Sequence, residues 1–272
     1  MSLRSLPISF SAVAVDAIDA RLDAIRVEQG VSIPLAIESG SRAWGFPSPD
    51  SDYDCRFVFV RPVDQHLSPW PLRDVIETPL EGDLDVNGWE LGKAIRLLLK
   101  GNAVIIEWLR SPIVYRGEAW FRDAFLDFAG RFARRDLIAR HYLHLGERQR
   151  RVYFGDGEIV PQKKIFYALR PAAALRWLRL HPDQAVPPMH FPTLMAQCEA
   201  PPEVADLTAD LIARKAVTRE LGAELLPHLI AAFIDGEFEL ARPRFEGPRA
   251  ALSDQARSEA NAFYRDVTLR CA

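Results

Sequence analysis

Two aspartates, Asp52 and Asp54, stand two residues apart at the head of a segment, 53–60, that is rich in aromatic and β-branched residues. A strand sends alternate side chains to opposite faces, so both carboxylates would leave one face while Tyr53 leaves the other. Like charges this close repel, and divalent cations between them relieve the repulsion. Mg²⁺, which prefers carboxylate and phosphate oxygens, suits the pair, and Mn²⁺ is the alternative. Two metals roughly 3.5–4 Å apart normally need a third carboxylate from a neighbouring strand. Asp85 is the candidate, because its neighbours Leu84 and Val86 would point to the opposite face and anchor the strand in the core. Asp83 competes for the role, but it adjoins Gly82 and reads as part of a turn.

Upstream of the pair, Gly40 and Ser41 follow a short apolar segment, 31–38, and precede a short helix. Glycine lets the backbone come close to a phosphate, and Ser41 offers a hydroxyl and an amide where anions are favoured. A basic counterpart lies further along: 163–179 holds five basic residues and no acid, whereas 48–90 holds ten acids against three arginines. An acidic site facing a basic segment is what a cation-bridged phosphate ligand requires. On the basic segment, Lys163, Tyr167 and Arg170 fall at i, i+4 and i+7, one helical face, and are expected to face the cleft and meet the phosphate ligand. Arg148, Arg150 and Arg151 cannot all point one way on a helix, so they serve this role less well.

Each of these features has a plainer reading. An acidic run is usually a solvated turn, which is how Asp50 is read. His141 and His144 lie three apart on a helix but find no third ligand at suitable spacing, so a solvent or structural role is expected. Gly155-Asp156-Gly157 is a turn between helices and not a phosphate loop, since no strand precedes it. Trp44, Trp89 and Trp108 read as packing residues, although Trp44 lies near the Gly-Ser turn.

The elements that would position these residues follow from periodicity. Residues 11–29 form an amphipathic helix with Ile18, Leu22 and Ile25 on one stripe, closed by Gly30. Strands are expected at 31–38 and 53–60, and a hairpin at 74–80 and 84–89. A helix at 90–100 ends at Gly101. Beyond residue 116 the reading is helical, over 118–132, 136–153, 162–180, 206–222, 225–240 and 253–267, with the Pro-rich 181–202 as a connection. The fold class is therefore α+β, an α/β domain with a mixed sheet over 1–115 followed by an all-helical domain over 116–272 that closes the cleft.

Composition bounds the alternatives. Hydrophobic residues make up 49% and charged residues 26%, which is ordinary for a globular chain and excludes extended disorder. No basic segment followed by an apolar one opens the sequence, and no apolar run approaches the ~18 residues a membrane helix needs, so a cytoplasmic protein is expected. Three widely spaced cysteines make neither a disulfide framework nor a metal site. A net charge of −3 means that any attraction to polyanions must be local.

The stretch Gly40-Ser41-Arg42-Ala43-Trp44-Gly45-Phe46, followed by Ser48-Pro49-Asp50-Ser51-Asp52-Tyr53-Asp54 and Arg56-Phe57-Val58, resembles the RlaP family, RNA-ligase-associated nucleotidyltransferases of the polymerase-beta superfamily. The resemblance extends to Asp85-Val86-Asn87-Gly88-Trp89-Glu90, to Glu107-Trp108-Leu109, and to Lys163-Lys164 with Phe166-Tyr167 and Leu169-Arg170-Pro171. It implies two metals held by Asp52, Asp54 and Asp85, and a nucleoside triphosphate held by Gly40, Ser41 and Arg42. It further implies attack by a hydroxyl on the α-phosphorus with release of pyrophosphate, and an RNA end as acceptor. Two other readings stay open at this point: a catalytically silent nucleotide- or RNA-binding partner, and transfer to a protein hydroxyl.

Overall fold

The computed structural model describes residues 2–154, 159–219, 222–245, 247 and 251–271. The first part of the chain runs β1 (Ser2–Ser5), α1 (Ala12–Gln29), β2 (Ser32–Ser39), α2 (Gly40–Trp44), β3 (Tyr53–Val60), α3 (Val63–His66), β4 (Val75–Glu77), β5 (Leu84–Glu90), α4 (Leu91–Leu99), α5 (Ala103–Arg110) and β6 (Val114–Glu118). It continues with α6 (Ala119–Phe132), α7 (Arg135–Phe154), β7 (Ile159–Pro161), α8 (Gln162–Leu180), α9 (Phe191–Gln197), α10 (Pro202–Val217), β8 (Ala223–Leu225), α11 (His228–Phe245) and α12 (Asp254–Cys271). A mixed sheet with helices is thus followed by a helical region, the fold class expected. The Gly155-Asp156-Gly157 turn lies outside the described residues.

Six strands form the sheet in the order β1-β6-β2-β3-β5-β4. Only β3 and β5 run parallel; the other neighbours are antiparallel. Side-chain alternation gives the sheet two different faces. Tyr53, Cys55, Phe57 and Phe59 of β3 and Val86 of β5 pack with Ile18, Leu22 and Ile25 of α1. Val58 and Val60 join Leu91, Leu98 and the later helices on the other side. The same period puts Asp54 and Arg56 on the second face, in line with Val58, and Asp85 in line with Trp89. At the start of β3 and β5, therefore, the face toward the helical region changes from apolar to charged.

Helix α1 starts at Ser11, whose hydroxyl accepts from the Ala14 N–H, and stops at Gly30 in the left-handed conformation, both as expected. Three expectations need correction. The 181–202 connection contains α9: its Pro192 stands in the first turn, where a missing N–H costs nothing, so proline density hid a helix. The helical region also holds a two-stranded ribbon, β7 paired with β8, each only three residues long. Strands β1 and β6 were not anticipated either. The polar, serine-rich β1 has no alternation of its own and is held by pairing with β6.

The second apolar cluster is continuous from Val58 and Leu91 through α8 to Phe238 on α11 and Val267 on α12. Helix α12 returns to pack on α4, α6 and β3, and the Ser32 hydroxyl donates to the Cys271 carbonyl at 2.9 Å. No helix among the described residues is long and apolar enough to cross a membrane.

Candidate nucleotidyl-transfer site

Parallel pairing of β3 with β5 sets Asp54 directly opposite Asp85. Between them lies a residue the sequence reading left without a role: Arg56 donates to Asp85 Oδ2 at 2.5 Å and to Asp54 Oδ1 at 3.3 Å. Asn87 holds the other Asp85 oxygen. A period of two from Asp54 was the signal that could have placed Arg56 beside the carboxylates. Asp52 precedes the strand and is exposed, and Asp83 sits in the turn, its carbonyl accepting from the Tyr53 N–H at 2.7 Å.

Burial pushes the Asp54 carboxyl above its ordinary proton affinity; Arg56 opposes this, while Asp85 and Asp52 push the same way as burial. Three negative charges thus converge on one position. Among the described residues, no three His, Cys, Asp or Glu side chains already form a cation site. The donors are all carboxylate oxygens, partly exposed and balanced by one guanidinium, which fits a hard divalent cation in chemical type.

Gly40 explains how the Gly-Ser turn reaches this pair. Its φ is 67°, and a Cβ built on it would lie 2.1 Å from Asp54 Oδ2, so any side chain would collide with the carboxylate. Beneath Asp54 the strand is fixed by Glu38, fully buried, whose Oε1 accepts from the Asp54 N–H at 3.0 Å and whose Oε2 accepts from the Tyr115 hydroxyl. Burial raises the Glu38 carboxyl to about 8, although both hydrogen bonds oppose the shift. Nothing in the periodicity marked this residue as other than one more strand position.

The loop from α2 to β3 is held by its own polar groups. Ser41 Oγ donates to Ser51 Oγ at 2.9 Å, and Ser51 Oγ also accepts from the Ser48 N–H at 2.8 Å. Arg42 was expected at the phosphates, but its guanidinium is committed to this loop. It donates to the Ser51 and Asp52 carbonyls at 2.6 and 3.0 Å and lies 3.9 Å from the Tyr53 ring centre. It braces the loop that presents Asp52.

A cavity of about 380 Å³ opens over these groups. Gly40, Ser41, Asp52 and Asp54 form one wall, and Lys163 and Tyr167 of α8 another, so the structure brings these six expected residues together. Lys163 reaches Asp50 at 3.1 Å. Arg170 is the exception on α8, because it is buried away from the cavity. It makes a two-pronged pair with Glu107 at 2.7 and 3.2 Å and stacks 4.1 Å from the Trp44 ring centre. Its place in the cavity is taken by an unanticipated lysine, Lys215 of α10, whose Nζ donates to the Phe46 carbonyl at 2.6 Å. Burial lowers its ammonium to about 8. Val204, Thr208, Leu211 and Lys215 form the buried stripe of α10, and a lysine ending such a stripe was a legible signal.

The family model described as RlaP, RNA repair pathway DNA polymerase beta family, matches residues 14–266. The chain belongs to the RlaP family. Among curated proteins it resembles the uncharacterized protein YcgL of Bacillus subtilis (strain 168), at 40% identity over 216 residues, which is 79% of this chain and 82% of that protein. The resemblance read from the sequence motifs is therefore borne out, and membership of RlaP gives the carboxylates and the Gly-Ser turn a polymerase-beta-like setting.

Proposed function

We propose that this RlaP protein transfers a nucleotidyl group from a nucleoside triphosphate to a hydroxyl acceptor, an RNA end, and releases pyrophosphate. The single observation carrying this reading is the contact between the Gly-Ser turn and the carboxylate pair. Gly40 leaves no room beside Asp54 for any side chain, so a phosphate held by this turn lies next to Asp54 and Asp85. Asp52, Asp54 and Asp85 would hold Mg²⁺ or Mn²⁺, which supplies neutralisation of the triphosphate and acidifies the attacking hydroxyl.

The chain's own groups do the rest. The Ser41 hydroxyl and the Lys163 and Lys215 ammonium groups meet the outer phosphates across the cavity, offsetting the charge left on the leaving pyrophosphate. The acceptor oxygen forms a bond to the α-phosphorus, the bond from that phosphorus to the bridging oxygen breaks, and the acceptor proton passes to the carboxylate set at Asp85. Tyr167 closes the wall over the nucleotide.

One observation favours a second reading, a silent nucleotide-binding partner: Arg56 already bridges Asp54 and Asp85 and would compete with a cation. The two separate cleanly. The protein is incubated with each NTP labelled at the α-phosphate, with Mg²⁺ or Mn²⁺, with and without RNA, and scored for pyrophosphate and labelled product. Label on RNA that disappears in Asp54→Asn supports transfer to RNA, label on protein moves the acceptor to a protein hydroxyl, and no label from any NTP leaves the silent reading.

A further inference from the structure

At the other end of the strands that carry Asp54 and Asp85, the surface is basic in a way the net charge of −3 does not suggest. Between α4 and α12 lies a groove of about 580 Å³, floored by Ile95, Leu99, Leu252 and Ala260 and edged by Arg96, Lys100, Arg257 and Tyr264. A second hollow of about 300 Å³ shares Lys100 and continues onto α7, where Arg140, His141, His144 and Arg148 line it. Neither hollow has a carboxylate in its lining.

Most of the cations along this route also lack an ion pair among the described residues. Arg96 pairs with Asp74, but Lys100, Arg148, Arg151 and Arg257 form no ion pair with any described residue. Among the described residues Arg140 reaches the Gly247 carbonyl, at 2.8 Å, and its Nε is buried with no partner among them. Neighbouring arginines on other faces are matched: Arg150, one position from Arg151, pairs with Asp235, and Arg176 and Arg179 share Glu237. A row of cations with no ion pair among the described residues leaves positive charge that an anionic partner can meet.

The row also has a direction. At 3.6 residues per turn, Arg140, His144, Arg148 and Arg151 fall within about 80° of arc, spaced about 6 Å for each four-residue step along α7. That helix ends at Phe154, and Tyr153 packs edge-on against Tyr167 at 5.8 Å, with Lys164 Nζ 4.7 and 4.6 Å from the two ring centres. Tyr167 is in the wall of the nucleotide cavity. The basic row therefore runs from the α4–α12 groove along α7, on the face opposite Tyr153.

We propose that this groove and the α7 row bind single-stranded RNA, with the phosphates on the arginines and lysines and unstacked bases on the apolar floor beside Tyr264. A single strand is favoured because the groove offers its bases an apolar and aromatic floor, and a duplex keeps its bases covered. A concave path with charges along its edges suits a strand better than a flat membrane. The binding stands independently of the nucleotidyl-transfer reading.

The test uses the full chain with chelator and without NTP, and fluorescence anisotropy of a labelled single-stranded RNA of about 15 nucleotides. Lys100→Glu/Arg257→Glu and Arg148→Glu/Arg151→Glu are compared with Arg4→Glu/Arg26→Glu, an equal charge change on the far side of the sheet. Circular dichroism and melting confirm the fold of each. Each groove pair is expected to weaken binding at least about tenfold and to lower the slope of log affinity against log salt by about 0.7 per lost phosphate contact, while the far-side pair binds as wild type. Absence of salt-dependent RNA binding, equal losses in all three pairs, or binding to phosphatidylglycerol vesicles in place of RNA would each overturn the proposal. Groove-dependent RNA binding by a chain that transfers no label supports the groove and removes the transfer reading.

Discussion

Two of the arginine–carboxylate sets on the helical side of the sheet, Arg170 with Glu107 and Arg56 with Asp54 and Asp85, are built for different ends. Arg170 and Glu107 are both buried, at 8% and 5% side-chain exposure, and the set is closed by the Tyr142 hydroxyl on Glu107 and the Trp44 ring under Arg170. Arg56 with Asp54 and Asp85 is open, at 19% against 28% and 31%. One guanidinium there faces two carboxylates, with Asp52 close by. The closed pair has no spare charge and no access, so its contribution is to the packing of α5, α7 and α8. The open set carries surplus negative charge toward a cavity, which is what ligand binding needs.

The sharpest way to break this contrast is to neutralise one member of each set. Asp54→Asn should abolish turnover, at or beyond the roughly 10²–10³-fold cost of losing one preorganised neutral donor. Its stability should stay the same or rise, because burial and two neighbouring carboxylates already disfavour the charge. Normal turnover in Asp54→Asn would end the carboxylate mechanism. Arg170→Ala should do the reverse. It strands the Glu107 charge in the core and should cost about 3–5 kcal/mol in denaturant unfolding. Pairing it with Glu107→Leu should recover much of that loss. If single Arg170→Ala leaves stability unchanged but raises the NTP concentration required, the residue belongs to the ligand site after all.

What was legible in the sequence divides along the same line. Strand alternation is a fixed period, so the common face of Asp54 and Asp85 and the inward turn of Tyr53 and Val86 could be read directly. The helical period gave the common face of Lys163, Tyr167 and Arg170 but not how deep each step of that face lies. Lys163 at the start of α8 reaches the cavity, whereas Arg170, two turns on, is under Trp44. Depth depends on what packs over a helix, and that information sits in Glu107 and Trp44, more than sixty residues away. Lys215 could be read as the end of the buried stripe of α10, but not as a cavity residue, since only the approach of α10 to the Phe46 carbonyl gives it a partner.

Glu38 allows the buried end of the open set to be probed by pH. In the fold its carboxyl keeps the proton to about 8, while an ordinary glutamate of the unfolded chain loses it near the reference value of 4.5. The native state binds more protons between those values, so this group makes stability fall as pH rises from about 4.5 to about 8 and leaves it level above. Glu38→Gln keeps an acceptor for the Asp54 N–H and removes the titration. The difference in unfolding free energy between wild type and variant should therefore move steadily in favour of the variant across that range. A flat difference would mean that Glu38 is ionised in the fold and that Asp54 is held from beneath by a charge.

The smallest effect expected is at Ser41, and it separates two uses of one hydroxyl. In the free chain Ser41 Oγ donates to Ser51 Oγ, within a cluster that also ties down Ser48. If that bond were its whole purpose, Ser41→Ala would cost about 1 kcal/mol of stability, an ordinary neutral hydrogen bond, and leave NTP affinity alone. The site reading expects the opposite division. Ser51 still accepts from the Ser48 N–H, so the loop loses little, whereas a phosphate loses a donor to a charged acceptor. Ser41→Ala should then weaken NTP binding by about 1.5–3 kcal/mol with melting nearly unchanged, while Ser51→Ala shows the reverse pattern. Measuring nucleotide affinity and melting on the same two variants decides the matter. A Ser41→Ala protein that melts lower but binds NTP as wild type does would reduce the turn's share in phosphate binding to the backbone at Gly40.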